Sequence, residues 1–241
     1  MDVTAIDNMP GFRRRFRVTP IPGAVCSEVE DDFHCMSVTV RHRDGVTTSI
    51  EPVLSRAPWT TCPGAVDRLK QTFSGVPIEK YAERGEKREN CTHLHDLATL
   101  AAAHAFDGEQ IVYDILVSDP VAGLRNAEIR RNGRTVLRWA LAEGRIVDPP
   151  ELVGVTLDQL SRWIGSLEPQ QQEAARLLRW GTIVANGRII PLERQSDASR
   201  MPTGNCYTFQ AERKVHAQRI VAIRDFSRGA AQPLQAPNIS Q

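Results

Sequence analysis

Two dipeptides, Asp44-Gly45 and Asn132-Gly133, constrain this chain more than any other feature of its sequence. Asp, Asn and Gly accept the positive φ that a two-residue hairpin turn requires, so each pair joins two antiparallel strands. The flanks agree: residues 34–40 and 46–54 around the first turn, and 127–141 around the second, are rich in β-branched or alternating side chains. An antiparallel hairpin in each half argues against a doubly wound parallel sheet.

Helical segments punctuate these strands. Pro63 suits a first helical position, where its missing N–H has no partner to lose, which makes Cys62 the expected N-cap. Ala65, Val66, Leu69 and Phe73 then recur at helical spacing up to Gly75. After a polar connection over 79–89, Asn90 is the expected cap of a second helix with Cys91 in its first turn. Residues 156–164 read as a short helix and Pro169 opens a longer one carrying Ala174, Leu177, Leu178 and Ile183. Further strands are expected at 16–18, 24–30 and 111–117, and strand character returns at 206–209 and 218–223. The fold class that follows is α+β: mostly antiparallel sheet with packed helices, one domain over 1–228 and a flexible tail over 229–241.

Charge excludes some functions. Thirty Lys and Arg face 29 Asp and Glu, a formal net charge of +1, so no global field draws a polyanion and no nucleic-acid partner is expected. The run Arg13, Arg14, Arg15, Arg17 reads as a strand edge guarded by charge, with local anion binding as its functional alternative. No stretch approaches the roughly 20 apolar residues of a membrane span, and the opening Met1-Asp2-Val3-Thr4 lacks the pattern of a signal peptide, so a cytoplasmic protein without membrane partners is expected. Five cysteines, an odd and sparse set, fit reduced thiols better than a disulfide framework.

Reactive side chains concentrate in three places. Cys62 and Cys91 lie at expected helix starts, where the helix dipole and free amides favour a thiolate. The string Cys91-Thr92-His93-Leu94-His95-Asp96 is the densest cluster, but His93 shares a helical face with Leu97, Leu100 and His104, whereas His95 points elsewhere. In Asp31-Asp32-Phe33-His34, strand alternation puts Asp32 and His34 on one face, a carboxylate positioned to orient an imidazole for acid/base work. Each feature has a bland counterpart: a lone Cys is most often a small buried hydrophobe, and Tyr113 on an apolar strand more readily fills a core than donates to a ligand. His34, Cys62, Cys91 and His93 also offer the atoms of a tetrahedral zinc site, although Cys62 and Cys91 are too far apart in sequence for a zinc knuckle. Glycine-rich nucleotide loops, His-Glu-x-x-His and Gly-x-Ser-x-Gly are missing, so no cofactor is expected.

Asp31-Asp32-Phe33-His34-Cys35-Met36, then residues 57–65 around Trp59 and Cys62, then Cys91-Thr92-His93-Leu94 resemble, in this order, the Asp-x-x-His-x-Met, Pro-x-x-x-Cys and Cys-Thr-His-Leu elements of the bacterial domain-of-unknown-function family numbered 2889. Cys206-Tyr207-Thr208-Phe209 and Arg224-Asp225-Phe226 resemble its closing segment, so the likeness spans about residues 12–226. Asn90 departs from the pattern, which often has Gly before the second cysteine. The resemblance implies that His34, Cys62, Cys91 and His93 group in space; it brings no reaction with it.

The expected function is a catabolic enzyme of the lyase type, acting by cofactor-independent acid/base chemistry on a small, largely apolar molecule, an aromatic one included. His34 oriented by Asp32, with His93 as second proton carrier, would run the chemistry; Arg13, Arg15, Cys62, Cys91 and Tyr113 are candidate substrate contacts, and no metal is part of this reading. The expected partner is the small-molecule substrate, and a homo-oligomer is compatible with the chain. The alternatives are a zinc-binding or ligand-binding protein using the His and Cys set without catalysis, and an interaction module in which these residues are core.

Overall fold

The computed structural model describes residues 6–190 and 195–235. Its strands are β1 (Gly11–Ile21), β2 (Ala24–Glu30), β3 (Cys35–Arg43), β4 (Val46–Arg56), β5 (Ile111–Ser118), β6 (Leu124–Arg131), β7 (Arg134–Ala142) and β8 (Arg145–Asp148). Its helices are α1 (Ala65–Phe73), α2 (Thr92–Ala103), α3 (Ser161–Gly165), α4 (Pro169–Val184) and the single turn α5 (Ala211–Lys214). The strand pairs β2/β3, β3/β4, β5/β6, β6/β7 and β7/β8 are all antiparallel, so the class is α+β, as expected. Among the described residues no helix is long and apolar enough to cross a membrane.

The chain gathers into two compact units, the first of Met1–Arg15, Val112–Ile190 and Asp225–Gln241, the second of Phe16–Ile111 and Pro191–Arg224. In the second unit the Asp44-Gly45 turn has φ of 52° and 74°, the left-handed pair that the hairpin demands. Register places Val25 opposite Val40, Ser27 opposite Val38 and Val29 opposite Met36, and all six side chains are buried. Against β2 and β3 lies α2, whose Leu94, Leu97, Ala98 and Ala101 are fully buried, pinned by a 2.6 Å hydrogen bond from Ser27 Oγ to the Leu97 carbonyl. Leu69 and Phe73 of α1 are fully buried as well, α1 packs on β4, and the Phe73 ring lies between Tyr81 at 4.3 Å and His95 at 5.1 Å. Because α2 is buried on most of its circumference, helical spacing alone could not say which of its histidines meets which neighbour.

In the first unit Asn132-Gly133 turns β6 into β7 with φ of 48° and 78°. Tyr113, Ile115 and Val117 of β5 and Ile129 of β6 are buried, and α4 packs on β6 and β7. Gly181 of α4 is there for contact: a Cβ on it would stand 2.8 Å from Ile115 Cγ2. A turn at Glu143-Gly144, with φ of 50° and 77°, leads into β8, which the sequence reading missed because Glu is not a residue that signals left-handed backbone.

Three expectations are corrected. Cys206-Tyr207-Thr208-Phe209 forms turns, and of 218–223 only Gln218 and Arg219 make isolated bridges, to Asp197 and Trp59, with Val221 and Ile223 exposed rather than packed on a sheet face. The arginine run is no exposed edge: Arg13 and Arg14 are 6% and 1% exposed, and β1 is bordered by β5 in the first unit and by β2 in the second. Helix starts shift by one residue, with Thr61 capping a 3-10 turn over Cys62–Gly64 ahead of α1, and Cys91 itself capping α2. Of the expected tail, Pro233 is buried and its carbonyl accepts from Arg15 Nη1 at 3.3 Å, while 236–241 lies outside the described residues.

Candidate active site

Asp31, Asp32, Phe33 and His34 are the loop that joins β2 to β3, closed by the Asp31 N–H donating to the His34 carbonyl at 2.9 Å. In a loop the two-residue alternation of a strand does not hold, and that decides which carboxylate serves the histidine. Asp31 Oδ1 accepts the Phe33 and His34 amides at 2.7 and 2.9 Å, folding the aspartate back over its own turn. The same carboxylate receives His34 Nδ1, at 3.0 Å to Oδ1 and 3.2 Å to Oδ2. Asp31 therefore makes the contact with His34 Nδ1 that was expected of Asp32, and the Asp32 carbonyl accepts the Arg224 amide at 3.0 Å. The signal was present in the Asp-x-x-His spacing itself, which pairs Asp31 with His34.

Arg56 clamps this loop from β4: its Nη2 donates to the Asp31 carbonyl at 2.7 Å, the His34 carbonyl at 3.3 Å and the Glu30 carboxylate at 3.0 Å. Asp31, Asp32 and His34 are all buried, so the carboxylate–imidazole contact is shielded from water and electrostatically strong. The His34 ring stacks on that of His93, in the first turn of α2, with centroids 4.0 Å apart and planes at 28°. His93 is partly exposed, whereas His95 is buried on Phe73. The two histidines of the cluster serve different neighbours, His93 the His34 ring and His95 the Phe73 ring.

The thiols form a second constellation of the same unit. Cys62 Sγ lies 3.3 Å from Thr208 Oγ1, and Tyr207 donates its amide to the Asn90 carbonyl at 2.8 Å. Tyr207 also closes over Gly64, where a Cβ would come within 2.5 Å of the phenol oxygen. The 206–209 segment is thus laid on the starts of both helices. Burial pushes the Cys62 thiol up to about 11, with the Cys206 thiol adding to the rise and Thr208 opposing it. Burial pushes Cys91 up to about 12, reinforced by Cys62, while the amides of Leu94 and His93 pull the other way without closing a capping hydrogen bond. At Cys91 the helix start does favour the thiolate, but at both cysteines desolvation outweighs the opposing groups, so both sulfurs are neutral at physiological pH. Cys206 and Thr208, absent from the sequence-derived set, complete this cluster. All five cysteines are free thiols.

The other expected contacts belong to the first unit. Tyr113 is fully buried and its hydroxyl donates to Glu173 Oε1 at 2.6 Å, so it is a core residue with its polar tip satisfied rather than a ligand contact. Arg13 and Arg15 line a cavity with Arg130. The tetrahedral zinc set does not assemble: among the described residues no group of three or more His, Cys, Asp or Glu side chains is placed to hold a metal ion. Cys62 is turned to Thr208 and His34 Nδ1 to Asp31.

Fold and site together define an α+β protein with a carboxylate-backed pair of stacked imidazoles. No protein-family model matches the chain, and no curated protein matches it in sequence.

Proposed function

We propose that the second unit carries out acid/base catalysis on a small, largely apolar molecule, with His34 and His93 moving protons and Asp31 holding His34. The observation that carries this reading is the Asp31 carboxylate on His34 Nδ1 beneath the stacked His93 ring. A carboxylate on Nδ1 keeps that nitrogen protonated and leaves the lone pair on Nε2. His34 then takes a proton from the substrate, Asp31 stabilises the resulting imidazolium, and His93 returns a proton to the departing group.

In an elimination the proton leaves carbon and the leaving oxygen is protonated; in a retro-aldol cleavage the proton leaves a hydroxyl and the carbanion is protonated. Both are lyase reactions that side chains alone can run, in keeping with a cytoplasmic catabolic role for an apolar, aromatic-type substrate. We place the chain in the bacterial family its motifs resemble; a family member whose structure lacks the Asp31–His34–His93 arrangement would remove that assignment.

The test is a panel of aryl β-hydroxy and β-ether compounds incubated with the protein in deuterated buffer, with cleavage and deuterium uptake read by mass spectrometry. His34→Ala and His93→Ala should each abolish turnover with unchanged circular dichroism. Full activity in both variants sinks the reading.

A further inference from the structure

The loop that carries His34 is held more firmly than its own folding requires. A 2.9 Å hydrogen bond from the Asp31 amide to the His34 carbonyl closes it, and Asp31 Oδ1 accepts two of its amides, the local bonding of an aspartate-started turn. Arg56 is added to that. Its Nη2 gathers the Asp31 carbonyl at 2.7 Å, the Glu30 carboxylate at 3.0 Å and the His34 carbonyl at 3.3 Å, so one guanidinium nitrogen spans both ends of the loop. Between those ends the Asp32 carbonyl accepts the Arg224 amide at 3.0 Å, and Arg224 Nη1 reaches the same Glu30 oxygen at 3.2 Å.

Sheet register delivers the arginine. Met36 of β3 pairs with Leu54 of β4, and regular pairing would then set Ser55 across from Cys35; a bulge leaves Ser55 as the extra residue and sets Arg56 there, next to His34. Bulges of this kind re-aim a side chain beside a functional site. The arrangement is costly, because Arg56 Nε is buried with no hydrogen-bond partner among the described residues. A turn already closed by its own hydrogen bonds does not call for that cost. Arg56 also meets Asp31 at its carbonyl and not at its carboxylate, and its charge is answered by the buried Glu30. The guanidinium therefore does not compete with His34 Nδ1 for the Asp31 carboxylate.

We infer that Arg56 is a positioning residue for His34: it fixes the loop through its main-chain carbonyls so that the imidazole stays on Asp31 and over His93, with Glu30 holding the guanidinium in place. The inference rests on the catalytic reading of the imidazole pair, and Arg56 acts on that pair only through the loop. Its loss lets the ring drift from its carboxylate without removing a substrate contact, so kcat falls while KM holds.

The test combines imidazole nitrogen NMR of the full unliganded chain with turnover of whichever aryl compound the parent protein cleaves. Arg56→Ala should replace the single His34 tautomer by exchange between the two and lower kcat about 10²-fold, with KM within roughly twofold. Guanidinium chloride at millimolar concentration should restore both. A lower melting temperature with the His34 shifts and kcat of the parent would make Arg56 structural only and overturn the inference; so would no recovery with guanidinium. Should Arg56→Ala fail to fold, Glu30→Gln decides: weakening the hold on the guanidinium should mix the His34 tautomers and lower kcat several-fold, and unchanged shifts overturn the inference. Because the shifts are read without substrate, a parent protein that cleaves nothing in the panel sinks the catalytic reading while the shifts still decide the place of Arg56.

Discussion

The His34 imidazole lies flat over that of His93, ring centroids 4.0 Å apart, with the far edge of His34 tied by Nδ1 to Asp31. A hairpin loop and a helix start contribute one ring each, and the loop's geometry is maintained by the same carboxylate that orients its histidine. Structure and chemistry can therefore be separated by substitution at Asp31.

Asp31→Ala removes the acceptor of two buried amides and of Nδ1, and should cost roughly 2–4 kcal/mol in denaturant unfolding. Asp31→Asn keeps an acceptor for the amides and should cost less. Without the carboxylate, the His34 tautomer preference is lost, visible in the imidazole nitrogen shifts by NMR, and turnover should fall by about 10³–10⁴. An Asn variant with wild-type turnover would show that Asp31 serves the turn alone.

Alkylation should distinguish the cysteines. With thiols held at about 11 and about 12, Cys62 and Cys91 should resist iodoacetamide at pH 7.5 until the protein unfolds. Because both folded values lie above the unfolded 9.0, their contribution to stability is complete below pH 9 and is lost as pH rises through 9 toward 11 and 12. Cys62→Ser and Cys91→Ser should blunt that alkaline loss; rapid labelling of either native thiol contradicts the assignment.

His95 contributes on the acid side. Burial, then Lys87 and Arg84, lower it to about 4, with Glu86 opposing, and neither ring nitrogen has a hydrogen-bond partner among the described residues. The folded protein keeps His95 neutral while the unfolded chain takes a proton near 6.5. Its contribution is whole above about pH 6.5 and declines as pH falls from there toward 4, by roughly 2 kcal/mol between pH 7.5 and 5. His95→Leu should remove that part of the slope in urea unfolding measured at the two pH values; an unchanged slope would show that another group carries it.

Gly181 tests the packing of α4. Gly181→Ala would ordinarily favour a helix, yet its Cβ would stand 2.8 Å from Ile115 Cγ2, so overpacking should leave a net loss of about 1–3 kcal/mol. Ile115→Ala beside it, by removing both Cγ2 and the Cδ1 that would stand 3.2 Å from that Cβ, should make the Gly181→Ala change less costly in that background; a Gly181→Ala protein more stable than the parent refutes the close contact.

The sequence by itself determined the elements whose cause is local. Asp44-Gly45 and Asn132-Gly133 fold their hairpins because positive φ is a property of those residues. Pro63 and Pro169 stand at helix starts because proline lacks the N–H that a helix start leaves unpaired. Glu143-Gly144 escaped notice since that turn is imposed by β7 and β8 on a residue that does not signal it. The candidate site was legible as residue types, His34 and His93 above all, but not as an arrangement. Strand alternation pointed to Asp32, and only the folded loop handed the role to Asp31. Helix starts pointed to reactive thiolates, and only tertiary packing, with Thr208 brought to Cys62 from 146 residues away, made them buried neutral thiols. Backbone preferences act over a few residues and can be read along the chain; desolvation and charge pairing depend on which distant segments close over a group, and those are decided by the tertiary structure.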